Sequence, residues 1–268
     1  MPSLRVSVYP LNRPTMLSLS PDRTSEPDPQ RELLHQVGRA IADFDLISTG
    51  DRIMVALSGG KDSYALLLIL EALRRRAPID FKLVAVHLDQ GQPGHDPAPL
   101  RAWLVEHAFD HHIVRDDTYS IVKKTVSEGR TPCSMCARLR RAILYRLADE
   151  FGCTKIALGH HRDDAVETLL LNLFFGGKLA SMPARLTSDD GHHHVIRPLI
   201  YCAEKNLADF AASRKVPILP CNLCGSLPNA QRQQMKGLLS RLEAEHPNLR
   251  QTMLAALGNV HLSHLLVK

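Results

Sequence analysis

Three short segments carry residues whose types and spacing can do chemistry. The first is Ser58-Gly-Gly-Lys-Asp-Ser63. Gly59 and Gly60 lack a Cβ, so the chain can turn sharply there and present amide N–H groups to an anion. A helix starting at the same place adds unpaired donors and a positive dipole end. Ser58 and Ser63 can donate from their hydroxyls, and Lys61 supplies a point charge for phosphate oxygens. Asp62 is out of place beside a bare phosphate, but suits a Mg²⁺ ion lying between the two. The spacing matches neither a Walker loop nor a dinucleotide fingerprint. The second segment is Leu158-Gly-His-His-Arg-Asp-Asp164. Gly159 permits close approach of a nucleotide. Asp163 and Asp164 suit a helix start, or a Mg²⁺ ion beside a pyrophosphate.

The third feature is a pair of Cys-x-x-Cys spacings, Cys133/Cys136 and Cys221/Cys224. Four converging thiolates suit structural Zn²⁺. Three with one open position suit a catalytic [4Fe–4S] cluster. Spacing alone leaves both open. The remaining two, Cys153 and Cys202, read as small buried hydrophobes. The first pair runs into a basic helix carrying Arg138, Arg140, Arg141 and Arg146, a candidate phosphate-contacting surface together with Lys123, Lys124 and Arg130.

Elements of the right kind flank these segments. Asp51–Leu57 is a short apolar run that reads as a buried strand, and it enters the glycine loop. A helix then runs from about Asp62 to Arg76. Lys82–Leu88 reads as a second strand, ending at His87-Leu-Asp89. Further strands are expected at His112–Arg115 and Lys155–Leu158. Helices are expected at Glu32–Ile47, up to Phe109, at Cys136–Phe151 and at Asp163–Phe175. Strands alternating with helices at these lengths indicate βαβ units and a parallel sheet, whose C-terminal strand ends converge on one edge. The expected organisation is a loose arm over 1–30, an α/β domain over 31–202 with the inserted cysteine–arginine helix, and a mostly helical segment over 203–268. His192-His-His194 reads as a polar turn without a role.

Composition sets the outer bounds. The chain has 268 residues, 44% hydrophobic and 23% charged, which excludes extended disorder and fibrous architecture. No apolar run is long enough to span a membrane as a helix. A net charge of +5 is too small for a histone-like binder but allows one local anion-binding patch. Low cysteine density and an N-terminus without a continuous apolar segment lead us to expect a cytoplasmic protein with reduced thiols.

Ser58-Gly-Gly-Lys-Asp-Ser63 after a strand resembles the PP-loop of the N-type ATP pyrophosphatases. That resemblance implies a Rossmann-like parallel five-stranded α/β sheet, ATP as substrate, and cleavage to AMP and pyrophosphate. Over roughly residues 37–227 the chain is similar to the tRNA 2-thiocytidine synthetase family. The matching segments include Asp51-Arg-Ile-Met-Val, Leu88-Asp-Gln, Cys133-Ser-Met-Cys-Ala-Arg-Leu-Arg-Arg141, Leu158–Asp164, Ser188-Asp-Asp-Gly, Ile196-Arg-Pro-Leu and Pro220-Cys-Asn-Leu-Cys-Gly-Ser226. The resemblance implies one oxygen-sensitive [4Fe–4S] cluster on Cys133, Cys136 and Cys224, with Cys221 the alternative third ligand. It implies thiolation of cytidine 32 in a tRNA, with Arg138, Arg140 and Arg141 on the RNA, a cysteine desulfurase as sulfur donor, and a homodimer. It assigns ATP binding to Ser58, Gly59, Gly60, Lys61, Asp62, Ser63, His87 and Gly159, and catalysis to Lys61, Asp62, Asp163 and Asp164. A PP-loop ligase, or another tRNA-modifying enzyme, with a structural four-cysteine zinc site is the alternative.

Overall fold

The structure is a computed structural model that describes residues 29–125, 133–220 and 231–266. The expected arm over 1–30 therefore falls almost wholly outside the described residues, as do Arg130, Cys221 and Cys224. The elements in chain order are α1 (Pro29–Asp43), β1 (Arg52–Ala56), α2 (Lys61–Arg74), β2 (Lys82–Asp89), α3 (Ala98–Glu106), β3 (His111–Arg115), α4 (Thr118–Thr125) and α5 (Cys133–Glu150). They continue with β4 (Lys155–Ala157), α6 (Arg162–Phe175), β5 (Arg185–Thr187), β6 (His194–Ile196), α7 (Glu204–Ser213), α8 (Gln231–Glu245) and α9 (Leu249–Leu257).

The strands form one sheet in the order β3-β2-β1-β4-β6-β5. Neighbours pair in parallel except β5, which pairs antiparallel with β6. The expected five-stranded parallel sheet is thus present, with an antiparallel sixth strand added at one edge. The β5–β6 hairpin escaped sequence reading because three-residue strands are too short to display an alternating pattern. Helix α4 escaped for a similar reason, being barely two turns long. The first helix stops at Asp43, short of the expected Ile47. Asp45 has φ +48, and the turn sends Leu46 and Ile47 back into the core.

Alternation along β1 divides the interior in two. Ile53 and Val55 face a large apolar core shared with α1, α2, α6 and α7. Met54 faces the other side, with Val84, Val86 and Ile156, under the Ile143, Leu144 and Leu147 stripe of α5. The sheet is therefore covered on both faces, as parallel sheets require. The C-terminal strand ends of β1 and β4 are adjacent, since Val55 pairs with Ala157. That register is what brings the two phosphate-type motifs side by side. Cys202 is fully buried and its thiol is pushed up to about 12, as expected of a small core hydrophobe, whereas Cys153, expected to be buried as well, is only half-buried.

At the opposite end of the sheet, a buried ion pair ties β1 to β4. Asp51 Oδ2 lies 2.7 Å from Lys155 Nζ, and both side chains are almost inaccessible. The Ser48 amide and the Thr154 hydroxyl also donate to Asp51. Burial alone would raise the Asp51 pKa, but Lys155 and these donors outweigh it and hold it below the ordinary carboxylate value. A depressed folded-state pKa contributes stability above the unfolded value that is lost as pH falls through the folded one. Asp51→Asn should cost about 3–5 kcal/mol, because it strands a buried Lys155. Denaturant unfolding at neutral pH measures this, and the gap between variant and wild type should shrink on acidification.

Candidate active site

The loop after β1 is built around its serines. The Ser63 hydroxyl donates to the Gly60 carbonyl at 2.8 Å, and the Ser58 and Ser63 oxygens are 3.2 Å apart. Gly60 caps α2 without a side chain, so the first amides of that helix have no intrahelical partner. Gly59 has φ +84, a conformation that disfavours any side chain. A Cβ there would also lie 2.8 Å from the Cβ of Leu219. The Leu219 amide donates to the Gly59 carbonyl at 2.9 Å, and the Tyr64 hydroxyl donates to the Pro217 carbonyl at 2.8 Å. The segment leading to the second cysteine pair is thus stitched onto the loop.

The second motif meets the first through Gly159. A Cβ on Gly159 would sit 3.2 Å from the Asp62 carbonyl carbon and oxygen and from the Ser63 nitrogen. A side chain there would crowd the Asp62–Ser63 backbone. His161 caps α6: its Nδ1 accepts from the Asp164 amide, and Asp164 Oδ2 accepts from the His161 amide.

A cavity of about 630 Å³ opens at these strand ends. Ser58, Asp62 and Ser63 line one side, Gly159, His160 and Asp164 a second, and Ala137, Arg140 and Arg141 of α5 a third. Apolar side chains, including Leu144, Tyr145, Leu158 and Leu186, form much of the rest. His87 lines it too. Its Nδ1 donates to the Leu57 carbonyl at 2.7 Å, so its Nε2 is the acceptor facing His95 at 2.9 Å. Burial lowers the His87 pKa and keeps the ring neutral.

The expected residues divide. Asp62 and Asp164 line the cavity, and Asp62 Oδ1 is buried with no hydrogen-bond partner. Asp163 does not line it. Its carboxylate lies 3.0 Å from Arg250 Nε and accepts from the Glu204 amide at 2.9 Å. Lys61 also stands outside the lining, 3.0 Å from Asp62 and 3.3 Å from Glu204. Burial would lower the Lys61 pKa, but these carboxylates raise it above the ordinary lysine value. Glu204 in turn is drawn down to about 2, its two lysine partners outweighing its burial. Arg138 is exposed on α5 away from the cavity, unlike Arg140 and Arg141. Cys136 sits one residue before the lining residue Ala137. Cys133 opens α5, with its side chain outside the described atoms; Cys221 and Cys224 lie outside the described residues altogether.

Sequence reading missed several residues here. Arg197 lines the cavity and is 8% exposed, yet no carboxylate lies within ion-pair distance among the described residues. Its NH1 donates to the Pro183 carbonyl, while Nε has no partner. Burial and the nearby Arg141 lower its pKa. Its place inside Ile196-Arg-Pro-Leu was the available signal. His160 is pushed down to about 4, chiefly by burial, and so is a neutral ring at physiological pH. Arg232 reaches from α8 to Glu167 at 3.0 Å and Asp164 at 3.3 Å, and nothing in its sequence neighbourhood announces this. His193 is another correction. The turn lies just before this stretch, at 189–190, and His194 already opens β6; His193 stacks flat on Tyr145 with centroids 4.4 Å apart and lies 3.2 Å from Asp149, docking the hairpin on α5.

Residues 29–219 match the PP-loop domain family. Curated proteins named tRNA-cytidine(32) 2-sulfurtransferase, from Sorangium cellulosum and Nitrosomonas europaea, are 57% and 56% identical to this chain over 236 residues. Those matches cover 88% of this chain and 83% and 75% of theirs. Among solved structures, the U34-tRNA thiolase NcsA from Methanococcus maripaludis with its [4Fe-4S] cluster aligns with a TM-score of 0.69. It is 22% identical, over 88% of this chain and 79% of that one, a likeness of fold.

The Gly59–Leu219 approach makes a direct prediction. Gly59→Ala adds both backbone strain and a steric clash, and should destabilise the fold by about 1–3 kcal/mol. Thermal unfolding measures it, and wild-type stability in the variant would contradict the geometry described here.

Proposed function

The chain belongs to the tRNA-cytidine(32) 2-sulfurtransferases of the PP-loop family, and on that premise we propose how its site transfers sulfur. ATP lies across the strand ends, its adenosine near His87 and its phosphates on Ser58–Ser63. A cytidine at position 32 of the anticodon loop enters the same cavity as an unstacked base. Its C2 oxygen attacks the α-phosphate and pyrophosphate leaves. A sulfur nucleophile then displaces AMP at C2. The observation that carries this reading is one cavity of about 630 Å³ reached at once by the glycine loop, the Gly159 motif, the arginine face of α5 and Pro220. Its size is that of a small-molecule site.

Two groups would be held by this chain's own side chains. Asp62 Oδ1, buried and unpartnered, and Asp164 face the phosphate site and would hold Mg²⁺. When bound, the ion neutralises phosphate charge. Cys133 and Cys136 stand one turn apart at the start of α5, where the helix dipole favours thiolates. With Cys224 they would hold a [4Fe–4S] cluster, and Cys221 is the alternative third ligand. When bound, the cluster would supply the sulfur to be transferred.

The chain's own residues do the rest. Lys61 and the loop amides stabilise the departing pyrophosphate, an electrostatic role. Gly159 lets the two loops close around the triphosphate. Arg197, a buried cation with no ion-pair partner among the described residues, donates to the pyrimidine oxygen as it becomes a leaving group. Neutral His160 lines the same end. Arg140 and Arg141, with Arg138 further out, meet the tRNA backbone. The apolar remainder of the wall excludes water from the adenylated base. A cysteine desulfurase supplies the sulfur as a persulfide, a two-electron dithiol reductant brings it to the sulfide level and is itself oxidised to a disulfide, the chain acts as a homodimer, and the compartment is the cytoplasm. Among the described residues no helix is long and apolar enough to cross a membrane.

Deleting the gene should remove 2-thiocytidine from the tRNA pool, read by mass spectrometry of nucleosides. Restoring wild type should return it. Lys61→Met should fall short by about 100-fold or more. Protein purified without oxygen should be brown and bleach in air. Cys224→Ala should abolish the colour, with Cys221→Ala affecting it less. A colourless, air-stable protein with one zinc would favour the structural zinc site instead, and normal 2-thiocytidine after deletion would reject the proposed substrate.

A further inference from the structure

One carboxylate outside every motif sits between the glycine loop and the C-terminal helices. Glu204 is the first residue of α7. Its Oε1 lies 3.3 Å from Lys61 Nζ and its Oε2 lies 2.5 Å from Lys236 Nζ on α8. One carboxylate thus joins two lysines from separate elements. The Glu204 backbone is pinned as well, because its amide donates to Asp163 and Asp163 is held by Arg250 of α9. The anchor fixes the Glu204 backbone, so only its side chain answers to the two lysines.

Lys61 is in a waiting position. Its neighbours Ser58, Asp62 and Ser63 line the cavity, whereas Lys61 does not and is engaged by Glu204 and Asp62 instead. A phosphate arriving at the loop competes with Glu204 for the same ammonium. Once Lys61 turns to the phosphate, Glu204 is left with Lys236 alone.

We propose that Glu204 is a positioning residue, an ion-pair relay that couples phosphate binding at Lys61 to the docking of α8 through Lys236. The idea rests on the reading that ATP phosphates engage Lys61. Helix α8 begins at Gln231, directly after residues 221–230, which contain the second cysteine pair. Nucleotide occupancy is thereby linked to the element that follows those cysteines. Coupling of this kind is reciprocal. If binding ATP strengthens the Glu204–Lys236 pair, then Lys236 must favour ATP binding, and it does so only through Glu204.

The relay differs from simple through-space attraction in a way a double-mutant cycle can read. The measurement is the dissociation constant for ATP, at one ionic strength, on the full chain purified without oxygen. Lys236→Met should weaken ATP about two- to fivefold, the scale expected of a half-exposed ion pair. Glu204→Gln should tighten ATP by a similar factor, since a competitor for Lys61 is gone. In the Glu204→Gln background, Lys236→Met should change nothing. Equal effects of Lys236→Met in both backgrounds would overturn the relay, as would no effect in the wild-type background. Wild type that fails to bind ATP would instead reject the underlying nucleotide reading, and the relay with it. If Glu204→Gln does not fold, amide exchange in wild type and Lys236→Met decides. ATP should slow exchange across α8 in wild type and not in Lys236→Met; an equal response in both would overturn the proposal.

Discussion

A backbone hydrogen bond from the Leu219 amide to the Gly59 carbonyl, 2.9 Å long, is the contact on which the site's assembly depends. It joins the phosphate-type loop at the end of β1 to the segment leading into the second cysteine pair, 160 positions later in the chain. The bond exists because Gly59 has no side chain to fend off Leu219 and can hold φ +84. Tyr64 repeats the stitch one turn into α2, donating to Pro217. Pro220 then lines the cavity, and Cys221 is the next residue. On the opposite wall α5 starts at the first cysteine pair and turns Arg140 and Arg141 toward the same space. The fold thus brings Pro220, the last described residue before the second cysteine pair, and the arginine face of α5 to one cavity beside the glycine loop.

The C-terminal helices are attached by charge as much as by apolar packing. Arg232 and Lys236 of α8 and Arg250 of α9 bond to carboxylates on α6 and α7. Such pairs repay little of the cost of removing charges from water. What they supply is direction, since Arg232 spans two carboxylates of α6 and Arg250 joins Asp163 to Glu243. Asp163 shows the consequence: it anchors α7 and α9, leaving its neighbour Asp164 at the cavity. Two adjacent aspartates with the same apparent meaning in sequence have different work in the fold.

Much of the fold was legible because local pattern and tertiary role agree. An apolar run entering Ser58-Gly-Gly-Lys-Asp-Ser63 can only be a buried strand feeding a loop and a helix. Gly159 was legible for the same reason, since a Cβ there would crowd the backbone of Asp62. The β5–β6 hairpin was not, because three-residue strands carry no periodicity, and its docking depends on His193 finding the face of Tyr145. Arg197 and Glu204 were invisible for a different reason. Their meaning comes from what surrounds them: burial of the first with no carboxylate at ion-pair distance among the described residues, and two lysines from distant elements around the second. The split between Arg138 and its neighbours Arg140 and Arg141 likewise follows from helix rotation against the sheet, which arginine spacing alone leaves undetermined.

The central claim is that one cavity activates the pyrimidine oxygen with ATP and replaces it with sulfur. Its most direct test is stoichiometry in a reconstituted reaction with tRNA and a sulfur source. The account predicts one AMP and one pyrophosphate for each 2-thiocytidine formed, and negligible AMP when the tRNA carries uridine in place of the target cytidine. Formation of ADP and phosphate, or AMP release at the same rate without a thiolatable cytidine, would contradict it.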